Sequence, residues 1–449
     1  MSCSIRELRL TTISLVLTII LSCSPEISRD EQKIIDEMEK SLKDNVLNSW
    51  YPVSLDTVYG GFLSNFSYDW QPNGRQNKML VTQTRHVWTC SEAAMFFNEI
   101  RYRKIAEHGF RFLRDKMWDE SYGGFYMIRD RKGDSLPQSD SDYKTAYGTA
   151  FAIYSLATYY RMSGDTSALN LAQKTFFWLE KYNHDPEFKG YFDRLARDGS
   201  RPSTSRWKDQ NSSIHLLEAF TALYNVWPDD LVRQRLFEML VLIRDTIVAD
   251  KSYLTLYLER DWRPVSFRDS SEVVRLANYN LDHVSFGHDV ETAYLMLEAS
   301  HALELKSDTK TSVVAKKMVD HALDRGWDSE NGGFYDAGYY FSGSDSISII
   351  DDKKIWWVEA EGLNALLLMA NLYPGEEKYY NAFLKQWKYI DTYLIDHEHG
   401  GWYGAGLDNS PNQKKGSKAS DWKINYHNAR SLMNCIKMLK KEHELVHRR

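Results

Sequence analysis

Cysteine is scarce in this chain: four among 449 residues, with Cys3 and Cys23 confined to the first 23 positions. Cys90 and Cys435 remain, each inside a helical pattern, so a disulfide framework is excluded and buried free thiols are expected. The spacing CxxC is absent. The tight triplet His397-Glu398-His399 before Gly400 reads as a solvated loop rather than a metal set. Excess basic charge is also missing. Lys and Arg number 56 against 62 Asp and Glu, a formal net charge of -6, which lacks the footprint of a nucleic-acid binder. No Pro/Ser-rich linker interrupts residues 30–445, so one domain is the simpler reading of that span. Aromatics are abundant instead, 14% of the chain with 14 Trp and 28 Tyr. Flat amphipathic rings serve a helical core, and they equally suit the apolar faces of sugars.

The first residues read as a targeting segment. Arg6 and Arg9 flank an apolar run from Leu10 to Leu21, too short to span a bilayer comfortably and of the right length for a secretory signal. The run ends in Ile20-Leu21-Ser22-Cys23, which resembles a bacterial lipobox. That resemblance implies removal of residues 1–22, acylation of Cys23, a tether over 23–29, and a place on a membrane of the bacterial cell envelope.

The body of the chain repeats itself. Gly-Gly-aromatic motifs stand at Gly60-Gly61-Phe62, Gly123-Gly124-Phe125, Gly332-Gly333-Phe334 and Gly400-Gly401-Trp402, with a weaker copy at Gly190-Tyr191-Phe192. The gap from 190 to 332 is twice the usual step, which predicts a degenerate copy near Tyr257 to Pro264. Between these loops the apolar spacing predicts helices near 30–49, 84–98, 100–117, 143–162, 165–181, 211–226, 229–248, 287–304, 309–325, 355–372, 376–395 and 426–442. The even-numbered ones, such as Leu363 to Leu368, are apolar on every face and should be buried. Six buried and six flanking helices make an all-α (α/α)6 barrel.

The chemistry-bearing residues cluster at the starts of the buried helices. Arg85, Tyr147, His215, His288, Trp357 and His427 follow one another at intervals of 62 to 73 residues. Equivalent positions on a closed ring converge on one end of it. Asn211, Glu291, Glu361, Trp422, Tyr426 and Arg430 stand beside them. Helix N-termini carry partial positive charge, which favours neutral imidazole, and a neutral histidine is both a base and, once charged, an acid. Arg85 is placed to stabilise an oxyanion. Glu291 lies three residues after His288, close on the same helical face, and is expected to orient its ring or share its charge. His86, His184 and His283 fall off the repeat and read as structural or solvated. Neither a metal nor a cofactor is called for.

Three segments resemble the N-acylglucosamine 2-epimerase superfamily, and within it the cellobiose and mannobiose 2-epimerases. They are Ser285-Phe286-Gly287-His288-Asp289-Val290-Glu291, Trp356-Trp357-Val358-Glu359-Ala360-Glu361 and Trp422-Lys423-Ile424-Asn425-Tyr426-His427-Asn428-Ala429-Arg430. The match runs over about residues 30–445 and includes Arg85 and the His215 motif. It implies epimerisation at C2 of the reducing-end sugar of a disaccharide through a cis-enediolate. By this resemblance His288 and His427 are the acid/base pair, and Arg85 and His215 hold the enediolate oxygen. Glu291 and Glu361 orient groups and bind hydroxyls, and Trp357 and Trp422 frame the disaccharide, with Tyr147 and Asn211 as further substrate contacts. Two positions depart from the family pattern. Glu359 replaces an expected Gln, and Tyr294 stands where Trp is common; both are expected to alter the non-reducing subsite. An aldose–ketose isomerase, an (α/α)6 glycoside hydrolase built on Glu291 and Glu361, and a glycan-binding lipoprotein stay open as alternatives.

Overall fold

The computed structural model describes residues 27–137, 142–306 and 308–447; the export segment with its Cys23 lies outside them. The helices are α1 (Arg29–Ser41), α2 (Leu80–Phe97), α3 (Ile100–Phe112), α4 (Ala146–Ser163), α5 (Thr166–Tyr182), α6 (Gln210–Val226), α7 (Asp230–Leu242), α8 (Glu272–Asp282), α9 (Phe286–Ala302), α10 (Thr309–Arg325), α11 (Trp356–Leu372), α12 (Glu377–Tyr389) and α13 (Tyr426–Leu439). Helices α2, α4, α6, α9, α11 and α13 form a closed ring, each packed on the next, with α13 returning to α2. Around it α3 packs on α2, α5 on α4, α7 on α6, α10 on α9, α12 on α11 and α1 on α13. This is the (α/α)6 barrel that the repeat predicts.

Burial follows the sequence pattern. Helix α2 buries every residue from Leu80 to Ala94, and α11 every residue from Val358 to Met369. Helix α12 buries only Tyr379, Phe383, Gln386, Trp387 and Tyr389, a stripe at three- and four-residue spacing that turns inward. Each fully buried Leu of the inner ring contributes about 1.5–3 kcal/mol relative to exposure. Cys90 and Cys435 are buried free thiols inside this packing. Among the described residues no helix is long and apolar enough to cross a membrane.

The Gly-Gly-aromatic repeats close hairpins between outer and inner helices. Their bridges pair Leu55 with Phe62, Trp118 with Phe125, His184 with Tyr191, Trp327 with Phe334 and Ile395 with Trp402. Gly61 shows why glycine is needed. Its φ is +66°, and a Cβ there would lie 2.5 Å from Gln83 Oε1 and 2.9 Å from the Phe112 ring. An aspartate next in line after each first bridging residue accepts N–H groups of the turn: Asp56, Asp119, Asp185, Asp328 and Asp396. Glu398 and His399 donate two of these bonds, so the triplet they share with His397 is hairpin turn. Each aspartate also meets a lysine that is at most 1% exposed: Lys78 at 3.0 Å, Lys144 and Lys208 at 3.1 Å, Lys354 at 2.6 Å, and Lys418. Four of these lysines stand two residues before an inner helix. Four of the buried ion pairs therefore tie a hairpin to the start of the helix that follows.

The sixth hairpin is not where the spacing predicts. It is closed by the Val248–Leu254 bridge. Ala249 takes the aspartate's place and Val284 the lysine's, so an apolar contact position replaces the ion pair and no glycine marks the turn. Ser252 supplies the positive φ, +67°. Tyr257–Leu258 is a short strand paired with Lys208–Asp209. Sequence periodicity also passes over α8 and the hairpin of Ala337–Tyr340 with Ile347–Asp351, which pairs with Val284–Ser285 just before α9.

Candidate functional site

The six residues spaced by the repeat do converge, but on two levels. Tyr147, Asn211, Trp357 and His427 are the second residues of their helices and His288 the third. Arg85, His215, Glu291 and Glu361 are the sixth, and Arg430 the fifth. Four residues along a helix advance about 6 Å, so the second group lies one turn deeper on the same inward faces. The sequence treats Arg85 and His215 as equivalent to His288 and His427; the structure sets them below.

In the upper level Trp357 lies between two histidines, its ring 4.7 Å from His288 and 5.8 Å from His427 by centroids. Ser285 Oγ holds His288 Nδ1 at 2.8 Å. Glu361 Oε1 holds His427 Nδ1 at 2.7 Å. A carboxylate only accepts, so Nδ1 of His427 carries the hydrogen and Nε2 the free lone pair. Burial, with His215, His283, His427 and Arg85 adding to it, pulls His288 down to about 3. Burial and Arg85 likewise hold His427 well below the ordinary histidine range. Both rings are therefore neutral bases at neutral pH.

The lower level is a charge cluster around Arg430, which is 2% exposed. Its guanidinium bonds Glu218, Glu291, the Tyr426 hydroxyl at 2.6 Å and Glu361 at 2.8 Å. Glu218 also takes the Tyr426 hydroxyl at 2.6 Å and His215 Nδ1 at 2.9 Å. Burial alone would raise the Glu218 carboxyl, but Arg430, His215 and Tyr426 outweigh it and hold it at about 2. Burial does prevail at Glu361, which is raised although Arg430 opposes it. Arg85 donates to the Tyr147 hydroxyl at 3.1 Å and stacks over Phe151 at 4.2 Å and Tyr426 at 5.0 Å. Its Nε has no partner, which leaves a buried donor beside the mouth. Tyr147 packs against His215 at 5.4 Å and Trp422 at 6.2 Å. Asn211 keeps a buried Oδ1 without a partner.

Glu291, Glu361 and His427 present three ligand-type atoms within 4.8 Å of one another. Arg430 already holds the Oε1 atoms of both carboxylates, so a cation there would share them with a guanidinium that opposes it in charge. Neutral bases above, a buried cation and phenol at the side, and acceptors below suit proton transfer at a carbon whose neighbouring oxygen gains charge.

Several expectations change. Glu291 does not orient His288; it faces Arg430 and lies 3.9 Å from His427 Nδ1, because a residue three further along points one turn deeper. Trp422 precedes α13 instead of riding on it, in a loop where 54% of it is exposed. Glu359 is fully buried, takes the Phe334 N–H at 3.1 Å and the Gln386 amide, and so braces the Trp327–Phe334 hairpin as Gln83 braces Leu55–Phe62. Tyr294 bonds Glu298 and Asn434, below Arg430. Neither departure from the family pattern touches the mouth. His86 bonds Tyr51 at 2.9 Å, His184 bonds Glu238 at 3.0 Å and His283 bonds the Tyr279 carbonyl of the preceding helix at 2.9 Å. Glu218 is absent from the sequence reading, and Ser285, Tyr426 and Arg430 appear in it without a role. Glu218 was legible as the i+3 neighbour of His215, and Arg430 as the i+3 neighbour of His427.

A closed (α/α)6 ring gathers histidines and a buried cation at its mouth, a setting suited to proton transfer. The family model for N-acylglucosamine 2-epimerase (GlcNAc 2-epimerase) matches residues 60–431, and the chain belongs to that family, as a carbohydrate epimerase or isomerase. It is 28% identical over 413 residues to the cellobiose 2-epimerase of Bacteroides fragilis, covering 90% of this chain and 98% of that one. It is 25% identical to the D-mannose isomerase of Marinomonas mediterranea, over 87% of this chain and 94% of that one. The solved cellobiose 2-epimerase of Spirochaeta thermophila superposes with a TM-score of 0.78 at 27% identity, covering 93% of this chain and 99% of that one.

Proposed function

We propose that the chain inverts C2 of the reducing-end sugar of a β-1,4-linked disaccharide of the cellobiose or mannobiose type. The observation that carries this reading is the pair of neutral histidines on either side of Trp357, each fixed through Nδ1. The sugar ring opens to the aldehyde, which acidifies the C2 proton. One histidine takes that proton through Nε2, and its electron pair passes to the C1 oxygen as a cis-enediolate. Arg85 and His215 stabilise the oxygen. The other histidine, charged by a solvent proton while the enediolate anion is present, returns a proton to the opposite face of C2, and the first histidine releases the C2 proton to solvent, so that both rings end neutral. Trp357 and the exposed Trp422 frame the sugar rings.

The test is incubation with cellobiose and 4-O-β-linked mannobiose in deuterated water, followed by NMR at C2. The C2 epimer with deuterium at C2 is expected, and His427→Ala should abolish it. A ketose product would move the assignment to aldose–ketose isomerase, the second reading, which the D-mannose isomerase relative favours. A hydrolase needs two carboxylates flanking the scissile bond, whereas Glu291 and Glu361 share one guanidinium. We also propose that Cys23 is lipidated and holds the enzyme on the cell envelope. Fatty-acid labelling that persists in Cys23→Ala would refute this.

A further inference from the structure

The inward stripe of the inner helices continues below Arg430. Trp88, Tyr154, Glu218, Tyr294 and Asn434 are the ninth residues of α2, α4, α6, α9 and α13. They line a second cavity of about 500 Å³ at the end of the ring away from the histidine mouth. That volume lies within the ordinary range of small-molecule sites. Its wall combines three aromatic rings with charges set against one another: Arg161 pairs with Glu92, and Arg430 with Glu218. Trp88 is 5% exposed, and its indole N–H has no acceptor. His301 Nε2, also in the wall, has no partner either. A buried donor without an acceptor is costly, and a bound hydroxyl or water would satisfy it. The wall charges nearly balance, Arg161, Arg430 and Lys437 against Glu92, Glu218, Glu298 and Glu442, so an ionic ligand gains little there. An uncharged molecule rich in hydroxyls matches aromatic faces alternating with donors and acceptors.

We propose that this cavity is a second binding site, for a small uncharged polyhydroxylated molecule of sugar size, and that its occupancy changes turnover at the mouth. The coupling has a physical route. Glu218 and Arg430 form the wall between the two spaces; on the other side Glu218 fixes His215, and Arg430 holds the Glu361 carboxylate that fixes His427. A shift of either residue toward a ligand below alters the ring it holds above. The coupling, though not the binding, rests on the mouth being the reacting site.

The test is calorimetric titration of the chain with cellobiose, in the unchanged protein and in Trp357→Ala and Ala222→Trp. Ala222 lines the cavity and takes no part in the mouth. Two sites are expected in the unchanged protein. Trp357→Ala should keep the lower one, and Ala222→Trp, which fills the cavity, should keep the upper one. In turnover, a second-phase change with rising cellobiose of roughly fivefold, the lower end of ordinary coupling, should vanish in Ala222→Trp. His301→Ala adds no bulk and tests the same site if Ala222→Trp does not fold; it should weaken the lower site alone. One site that Trp357→Ala removes, and that Ala222→Trp and His301→Ala leave intact, overturns the proposal and leaves the mouth reading standing. One site removed only by Ala222→Trp overturns the mouth reading instead.

Discussion

Arg430→Met probes the charge cluster most directly. The substitution keeps an unbranched apolar stem and removes the cation, leaving Glu218, Glu291 and Glu361 buried without their countercharge. Breaking a buried ion pair from one side costs about 3–5 kcal/mol. Unfolding entropy of about 2.1 cal/mol/K per residue over roughly 420 residues is about 0.9 kcal/mol/K, so the melting temperature should fall by about 3–6 °C at neutral pH. The pH dependence has a definite sign. Glu218 is held at about 2 in the folded protein, below its unfolded value, so its ionised form stabilises the fold above the unfolded value. That contribution is lost as the pH falls from the ordinary carboxylate range toward 2. The gap in melting temperature between the two proteins should therefore be widest near pH 7 and shrink toward pH 3. With His215 and His427 no longer aligned, kcat should drop on the order of 100-fold. Arg430→Lys restores the charge without the planar fork, so it should recover stability more than turnover. Thermal melts at pH 3, 5 and 7 with parallel turnover assays decide the matter. A melting gap equal at pH 3 and pH 7 would refute the counter-charge argument.

Other outcomes follow from single contacts. Burial raises Glu359 to about 8, above its unfolded value, so its stabilising contribution is full at low pH and lost as the pH rises through about 8. Glu359→Gln should therefore melt higher than the unchanged protein at pH 8, and no higher at pH 4, with the cellobiose-to-mannobiose preference unmoved; a changed preference would place Glu359 in substrate binding after all. His288 at about 3 and a depressed His427 predict a kcat/KM profile without an inflection near 6.5 between pH 5.5 and 8. A clear limb at 6.5 would show that neither ring is held neutral as described. Trp422→Ala, at an exposed position, should shift stability by less than about 0.5 kcal/mol and raise KM for the disaccharide with kcat nearly unchanged. An unchanged KM would remove Trp422 from the substrate path.

The ring was legible because period and apolarity both survive in the sequence: glycines mark five hairpins, and Val358 to Met369 admits no solvent face. The sixth hairpin was misplaced because Ala249 and Val284 replace the ion pair and Ser252 replaces glycine, so the markers vanish while the bridge persists. The convergence of Arg85, His215, His288 and His427 followed from repeat spacing alone. Their separation into two levels did not, since intervals of 62 to 73 residues differ by more than a helical turn. The partners of the histidines were hardest to see. Glu218 reaches Arg430 across 212 positions, and Glu361 reaches His427 across 66, distances that only ring closure brings together.

The same repeat explains how one end of the barrel carries chemistry without losing its fold. At the fourth residue of an inner helix, Gln83, Asp289 and Glu359 each accept the N–H of a hairpin residue, from Phe62, Leu254 and Phe334. Two residues before the helix, a buried lysine binds the hairpin aspartate. These positions point outward, toward the hairpins, and fix where each inner helix begins. The second, third and sixth residues point inward and are free to differ, as tyrosine, asparagine, histidine, tryptophan, arginine or glutamate. A one-residue slip in helix start would rotate each inward group by about 100°, since a turn holds 3.6 residues. The buried lysine–aspartate pairs thus act on catalysis through register. Lys354→Met should on this argument lower kcat by misplacing Trp357 and Glu361, although Lys354 itself contacts Asp328 and Asp408 and neither histidine. Lys418→Met lies eight residues before α13, and its effect on His427 should be smaller. Equal losses of kcat in the two variants, at equal losses of stability, would show that these pairs serve stability alone.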